Sequence, residues 1–387
     1  MAVINRIAGF ADDLKTWRRH LHMHPELSLD CHETATFVVE RLTEMGVDEI
    51  HQGWAESGVV AVINGKGEGA TTALRADMDA LPMDEKTGAE WASTVPGRMH
   101  ACGHDGHTTM LLGAARYLAE TRNFSGKVVL LFQPAEESIG GGRIMVEEGV
   151  MDCFDVDEVY AIHTDAFNEL GEFGTRAGGL MASVDDWTIT VVGKGGHAAY
   201  PASTIDPIPA ALQIAQAINS IAGRRVPSFE PVVISLTQFH SGSASNIIPE
   251  TAVLNGTVRT FSAEMRDMLE DQIKNIAASQ EQASGVTVNV DYDRSYPPTI
   301  NHADQVDKAV TVAKEIVGDA MVNSTIKAEM GSEDFSYMLN ARPGAFLFLG
   351  QGVGPSVHHP EFDFNDEAAP IGASFFARLV ETLQPIK

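Results

Sequence analysis

The feature that most constrains this chain is an alternation of strands and helices that is broken once and then resumed. Apolar runs at 58–63, 71–76, 127–132, 158–162 and 345–349 read as strands, and segments 3–21, 33–45, 108–120, 143–148, 303–317 and 366–383 carry apolar residues at helical spacing. That order calls for parallel pairing with helical crossovers. From Val184 the pattern changes to strand 186–192, helix 207–222, strand 232–239, strand 251–261, helix 263–283 and strand 286–292. This is the β-α-β-β-α-β order of a ferredoxin-like α+β domain. The expected fold is therefore α/β: a mixed, mostly parallel sheet with helices on both faces, plus an inserted ferredoxin-like domain. Residues 1–183 and 295–387 would form the first domain and 184–294 the insertion, a division suited to 387 residues, more than one core usually supports.

Composition narrows the function classes. A net charge of −26 disfavours nucleic acid and acidic membrane surfaces as partners, because both require a basic patch. No window approaches the roughly 18 apolar residues of a membrane span. The first residues are amphipathic and lack a signal-peptide layout. Three cysteines, Cys31, Cys102 and Cys153, do not suggest a disulfide framework. Cytoplasm is the expected compartment.

Chemistry concentrates between Met99 and His107, where a thiol, three imidazoles and a carboxylate fall within nine residues. Cys102 and His104, two apart, suit one metal in a tight turn, whereas Asp105 and His107 point elsewhere. The plain alternative is a polar loop capping the next helix. Asp77, Glu136, Glu137 and His163 stand at the exits of expected strands, where ligands gather in open α/β sheets. With Cys102, His104, Glu137, His163 and one of His358 or His359, the set holds five donors. That is too many for one tetrahedral ion and suits two ions that share a thiolate or carboxylate. Such a pair polarises a carbonyl and lowers the pKa of water toward 7, which is hydrolytic chemistry. Adjacent Glu136 and Glu137 can divide the work, one as ligand and the other as proton carrier. Asp77 is a candidate to orient a ligand imidazole.

Eight motifs carry a resemblance over essentially the whole chain. They are Trp17 to Glu26, Arg75-Ala-Asp-Met-Asp-Ala-Leu-Pro82, Met99-His-Ala-Cys-Gly-His-Asp-Gly-His107, Gln133-Pro-Ala-Glu-Glu137, Gly193-Lys-Gly-Gly-His-Ala198, Asn246-Ile-Ile-Pro249, Gly331-Ser-Glu-Asp-Phe335 and His358-His-Pro360. In that order they resemble the hippurate hydrolase and auxin-conjugate hydrolase branch of the metallo-amidohydrolases.

The resemblance implies two divalent ions, Mn²⁺ or Zn²⁺ with Co²⁺ or Ni²⁺ also possible. Cys102 would bridge them, Glu137 and His358 would complete one ion, and His104 and His163 the other. Glu136 would be the general base and Asp77 a supporting carboxylate, with Arg75 where other branches place a ligand histidine. His197 would reach the scissile carbonyl of a partner subunit, and Asn246 and Arg259 would hold the substrate's carbonyl or carboxylate. The implied activity is hydrolysis of an N-acyl or N-aroyl L-amino acid by a homodimer formed through 184–294. A small dipeptidase or carboxypeptidase is the alternative, and a silent metal-binding scaffold a third reading. Two stretches depart from the branch: His163-Thr-Asp-Ala-Phe167 lacks its Trp-Pro pair, and Ala199-Tyr-Pro-Ala202 its Pro-His.

Overall fold

The structure is a computed structural model that describes residues 3–386. In chain order it begins with α1 (Asn5–Ala8), α2 (Ala11–Met23), α3 (His32–Met45), β1 (Glu49–Trp54), β2 (Gly58–Asn64), β3 (Thr71–Asp77), α4 (His104–Thr121), β4 (Lys127–Gln133), α5 (Gly141–Glu147), α6 (Val150–Cys153), β5 (Glu158–Asp165) and β6 (Phe173–Gly174). There follow β7 (Gly178–Met181), β8 (Asp185–Val192), β9 (Gly196–His197), α7 (Pro207–Arg224), β10 (Val232–Ser241), β11 (Ile247–Ile248), β12 (Thr251–Thr260), α8 (Ala263–Ser284) and β13 (Thr287–Arg294). The chain closes with β14 (Thr299–Asn301), α9 (Ala303–Val317), β15 (Val322–Asn323), α10 (Phe335–Ala341), β16 (Gly344–Gly350) and α11 (Ala368–Leu383).

Two compact units result. The first holds Met1–Gly178, Ile300–Lys327 and Asp334–Lys387, and the second Gly179–Thr299 with Ala328–Glu333. The second unit thus begins and ends about five residues outside the expected 184–294 and also takes in 328–333. The reason is backbone pairing: Ala182 N–H donates to the carbonyls of Glu329 at 3.0 Å and Gly331 at 2.9 Å.

The first unit is built on an eight-stranded sheet in the order β1-β2-β4-β3-β5-β16-β6-β15. The central pairs β4–β3, β3–β5 and β5–β16 are parallel, while β1–β2 and β2–β4 are antiparallel. Its central strands are buried on both faces, which is why they read as continuous apolar runs. One face meets α1–α4, α9 and α11; on the other, Phe335 of α10 lies 5.7 Å from the Phe346 ring. α4 is buried on nearly every side, so apolar residues surround its axis instead of forming one stripe. Two expectations change here. The helix expected over 3–21 is divided at Gly9 into α1 and α2, an arrangement that buries Ile7, Phe10 and Leu14 together. Strand β1 is an exposed edge whose Glu49-Ile-His-Gln-Gly-Trp54 has no apolar alternation to reveal it.

The second unit has a four-stranded antiparallel sheet, β10-β12-β8-β13, covered by α7 and α8. Both helices begin on side-chain caps: Asp206 accepts from Ile208 N and Ser262 from Met265 N. A buried ion pair from Arg266 to Asp185, 2.7 Å from Nε to Oδ1, ties α8 to the sheet. Among the described residues no helix is long and apolar enough to cross a membrane.

Candidate metal centre

The site begins where the sheet parts. Strand β3 pairs with β4 through Asp77↔Gln133, but with β5 only as far as Arg75↔Ala161. Strand β5 runs on beside β16 to Asp165↔Gly350. The start of α4 enters the opening at the carboxyl ends, where α/β sheets bind their ligands. The helix begins at His104, earlier than the expected 108, so His104, Asp105 and His107 lie in its first turn and Cys102 just before it. Gly103 makes the entry: its φ is +87°, and a Cβ there would lie 2.6 Å from Thr164 Cγ2.

Two trios of donors meet at Cys102. Cys102, His104 and His163 form one and Cys102, Glu137 and His358 the other, with the donor atoms of each trio within 4.8 Å of one another. His163 Nε2 lies 3.3 Å from Cys102 Sγ, and His358 Nε2 3.1 Å from Glu137 Oε1. His358 N–H donates to Ala101 O at 2.7 Å, which fixes the late loop against the Cys102 segment. Among the described residues His359 joins no such group. Glu136, buried, forms a further trio with His104 and Glu137.

The charges fit metal ions. His104 is fully buried, and neither ring nitrogen makes a hydrogen bond; Asp79 Oδ1 and Asp77 Oδ2 stand 3.5 and 3.7 Å away. Burial disfavours its charged form, but Asp77, Asp79 and Glu137 outweigh that and push its pKa up to about 10. Burial and the carboxylates of Glu137 and Glu136 push the Cys102 thiol well above its ordinary value. Divalent ions would satisfy the unpaired imidazole, the thiolate and the crowded carboxylates together, so residues for a two-metal site are present.

His107 and Asp105 are occupied otherwise. His107 Nδ1 donates to Asp77 Oδ1 at 2.6 Å and its Nε2 accepts from Thr164 N at 2.8 Å. Asp105 accepts from His22 Nδ1 at 2.7 Å. Asp77 therefore hydrogen-bonds His107 and none of the three donor rings His104, His163 and His358, and its other oxygen accepts from Arg75 Nη1 at 2.7 Å. Burial opposes its charge, yet His104 and Arg75 keep its carboxyl well below the usual range. The carboxylate that hydrogen-bonds the backbone of a donor is Asp79, a residue with no role expected from the sequence. It accepts from Glu136 N at 2.9 Å and Glu137 N at 3.1 Å. Its one sequence signal is its place two residues after Asp77, on the same side of an extended chain.

In the second unit, β9 pairs with β11 so that His197 faces Ile247, and Ala198 N–H donates to Asn246 O at 3.0 Å. His197 and Asn246 are thus neighbours, both exposed. Arg259 is not with them. It stands near the far end of β12, eight residues beyond Thr251, about 25 Å along the strand. There its Nη1 donates to Ser332 Oγ at 3.4 Å. The expected Asn246–Arg259 pair does not meet within one chain.

Comparison with known proteins adds the following. Residues 73–382 match the signature of peptidase family M20/M25/M40. A thermostable carboxypeptidase of Saccharolobus solfataricus is 38% identical over 98% of both chains. A hippurate hydrolase of Campylobacter jejuni is 37% identical, also over 98% of both. A solved Bacillus subtilis structure, described as a dinuclear metal-binding M20 peptidase, superposes with a TM-score of 0.85 at 33% identity, covering 96% of this chain and 98% of that one. From sheet, donor set and kinship together, this chain belongs to peptidase family M20/M25/M40.

Proposed function

We propose that the chain is a metal-dependent amidohydrolase that cleaves the amide of N-acyl or N-aroyl L-amino acids to a carboxylic acid and a free amino acid. The observation that carries this reading is the meeting of two donor trios at Cys102 with Glu136 beside them. Cys102 would be the shared ligand, with Glu137 and His358 holding one ion and His104 and His163 the other. Mn²⁺ or Zn²⁺ suits the mixed donors, with Co²⁺ or Ni²⁺ as substitutes. When bound, such ions polarise the amide carbonyl and acidify water.

The chain's residues do the rest. Glu136 takes a proton from the attacking water and passes it to the leaving nitrogen. Asp79 holds its backbone and that of Glu137, so base and ligand keep a fixed separation. Arg259 binds the substrate carboxylate through its fork. His197 donates to the developing oxyanion, a role worth about 3–4 kcal/mol in comparable sites. Because His197 and Asn246 lie far from Arg259 along β12, they serve one substrate as residues of different subunits in a cytoplasmic homodimer formed through the second unit.

A small peptidase with the same centre is the second reading, favoured by the carboxypeptidase name of the archaeal relative. The test is a panel of N-benzoyl, N-acetyl and N-indoleacetyl amino acids against dipeptides, assayed after chelation and after return of each metal. Faster metal-dependent release of amino acid from the N-acyl compounds supports the proposal. Turnover of dipeptides alone would favour the second reading, and no turnover with any metal would leave a silent scaffold.

A further inference from the structure

A strand edge that loses its neighbour must satisfy its peptide groups some other way. Among the described residues no strand pairs with β5 on its β3 side beyond Ala161, and the buried Thr164 N–H donates to His107 Nε2 at 2.8 Å. An amide N–H only donates, so this ring nitrogen carries the lone pair. The ring proton is therefore on Nδ1, 2.6 Å from Asp77 Oδ1. Behind Asp77, Arg75 donates through Nη1 at 2.7 Å, and its Nε and Nη2 are held by Gln133 Oε1 and Asp334 Oδ1 at 2.9 and 3.0 Å. Asp77, Arg75, Gln133 and Asp334 are all buried.

His163 Nδ1 lies 2.7 Å from Thr164 O, which only accepts, so Nδ1 carries the proton. The lone pair is left on Nε2, the atom 3.3 Å from Cys102 Sγ. The His107 and His163 rings also touch, with centroids 4.5 Å apart at 62°. His107 therefore grips the peptide that follows His163 and packs against its ring.

We propose that His107 is the positioning residue for His163: it couples the Arg75–Asp77 pair to the 163–164 peptide and so sets the tautomer and direction of the His163 donor. This rests on the reading of His163 as a metal ligand. The third histidine of the dense cluster is then a device for aiming a ligand from another strand.

Two substitutions separate the two ends of the ring. In His107→Asn the shorter amide reaches where Nδ1 stands and keeps Asp77 but abandons Thr164; in His107→Gln the longer amide can still accept from Thr164 N. The readout is equivalents of Mn²⁺ or Zn²⁺ bound per chain, by equilibrium dialysis with elemental analysis, alongside thermal unfolding of each chain. Expected are two equivalents for the wild type, a second equivalent at least tenfold weaker in His107→Asn with the first unchanged, and near wild-type binding in His107→Gln. Full affinity for both equivalents in His107→Asn would overturn the proposal, as would equal loss of both equivalents in the two variants. A wild type holding a single equivalent would instead overturn the two-ion reading. A second measurement then decides the proposal without any variant: ¹⁵N spectra of the metal-free wild type must place the His107 proton on Nδ1, and a proton on Nε2 would refute it.

Discussion

Asp79 accepts the backbone N–H of Glu136 at 2.9 Å, and the same carboxylate takes the N–H of Glu137 with its second oxygen. One buried side chain thus fixes the exit of β4, where Ala135 already adopts a φ of +59°. In Asp79→Ala both N–H groups lose a buried partner, at about 1–3 kcal/mol each. Expected are a lower unfolding midpoint and a kcat down about 10- to 100-fold, the range typical of lost support around metal sites. Calorimetry with steady-state kinetics checks both, and an unchanged kcat would remove Asp79 from the site's support.

Gly103 offers a controlled comparison. Gly46, at φ +69°, ends α3 with nothing within 4 Å of an added Cβ, whereas at Gly103 that carbon would meet Thr164 Cγ2 at 2.6 Å. Gly46→Ala should cost about 1–2 kcal/mol, the penalty of a left-handed backbone alone. Gly103→Ala should cost more and also weaken metal binding, because the clash displaces the residue that joins Cys102 to His104. Chemical denaturation of both variants, with metal titration of the second, measures the difference.

Much of this was legible in the order of residues, for reasons particular to each element. The β-α-β-β-α-β stretch announced itself because three of its strands, β8, β12 and β13, half-bury one face and alternate. The edge strand β1 did not, since its side chains are largely exposed and carry no pattern. Donor types at strand exits pointed to Cys102, His104, Glu137 and His163, but spacing says nothing about which hydrogen bonds a side chain has already made. His107 resembles a donor in composition and is consumed by Asp77 and Thr164. Asp77 and Asp79 have the same charge and stand two residues apart at the exit of β3, and only the turn after β4 brings the Glu136 and Glu137 N–H groups to Asp79. The distance between Asn246 and Arg259 follows from the register of β12, which no local motif encodes.

Glu136→Gln keeps the size of the side chain and removes its ability to take a proton. Turnover should fall about 10²- to 10⁴-fold, the usual span for a lost general base. Metal content should stay at the wild-type value, because Glu136 completes neither trio at Cys102. Cys102→Ser, by contrast, should lose metal along with activity. Elemental analysis beside kcat separates the two roles, and equal metal loss in both variants would contradict the division between Glu136 and Cys102.

The His22 imidazole gives the fold a pH dependence of defined sign. It is fully buried between Asp105, 2.7 Å from Nδ1, and Glu85, 3.3 Å from Nε2. Burial disfavours its charge, but Asp105 and Glu85 outweigh that and raise its pKa from 6.5 to about 9. Between those values the folded chain binds more protons than the unfolded one, so stability falls as pH rises. The contribution is complete below about pH 6.5 and gone above about 9, and a shift of that size corresponds to about 3 kcal/mol. In His22→Asn a donor to Asp105 remains but nothing titrates. The variant should be less stable than wild type at pH 6, and the difference should shrink steadily toward pH 9. Urea denaturation at intervals across this window measures it. Other groups that titrate there are common to both chains and cancel in the difference, so a gap that stays constant with pH would mean that the folded chain does not hold the His22 proton.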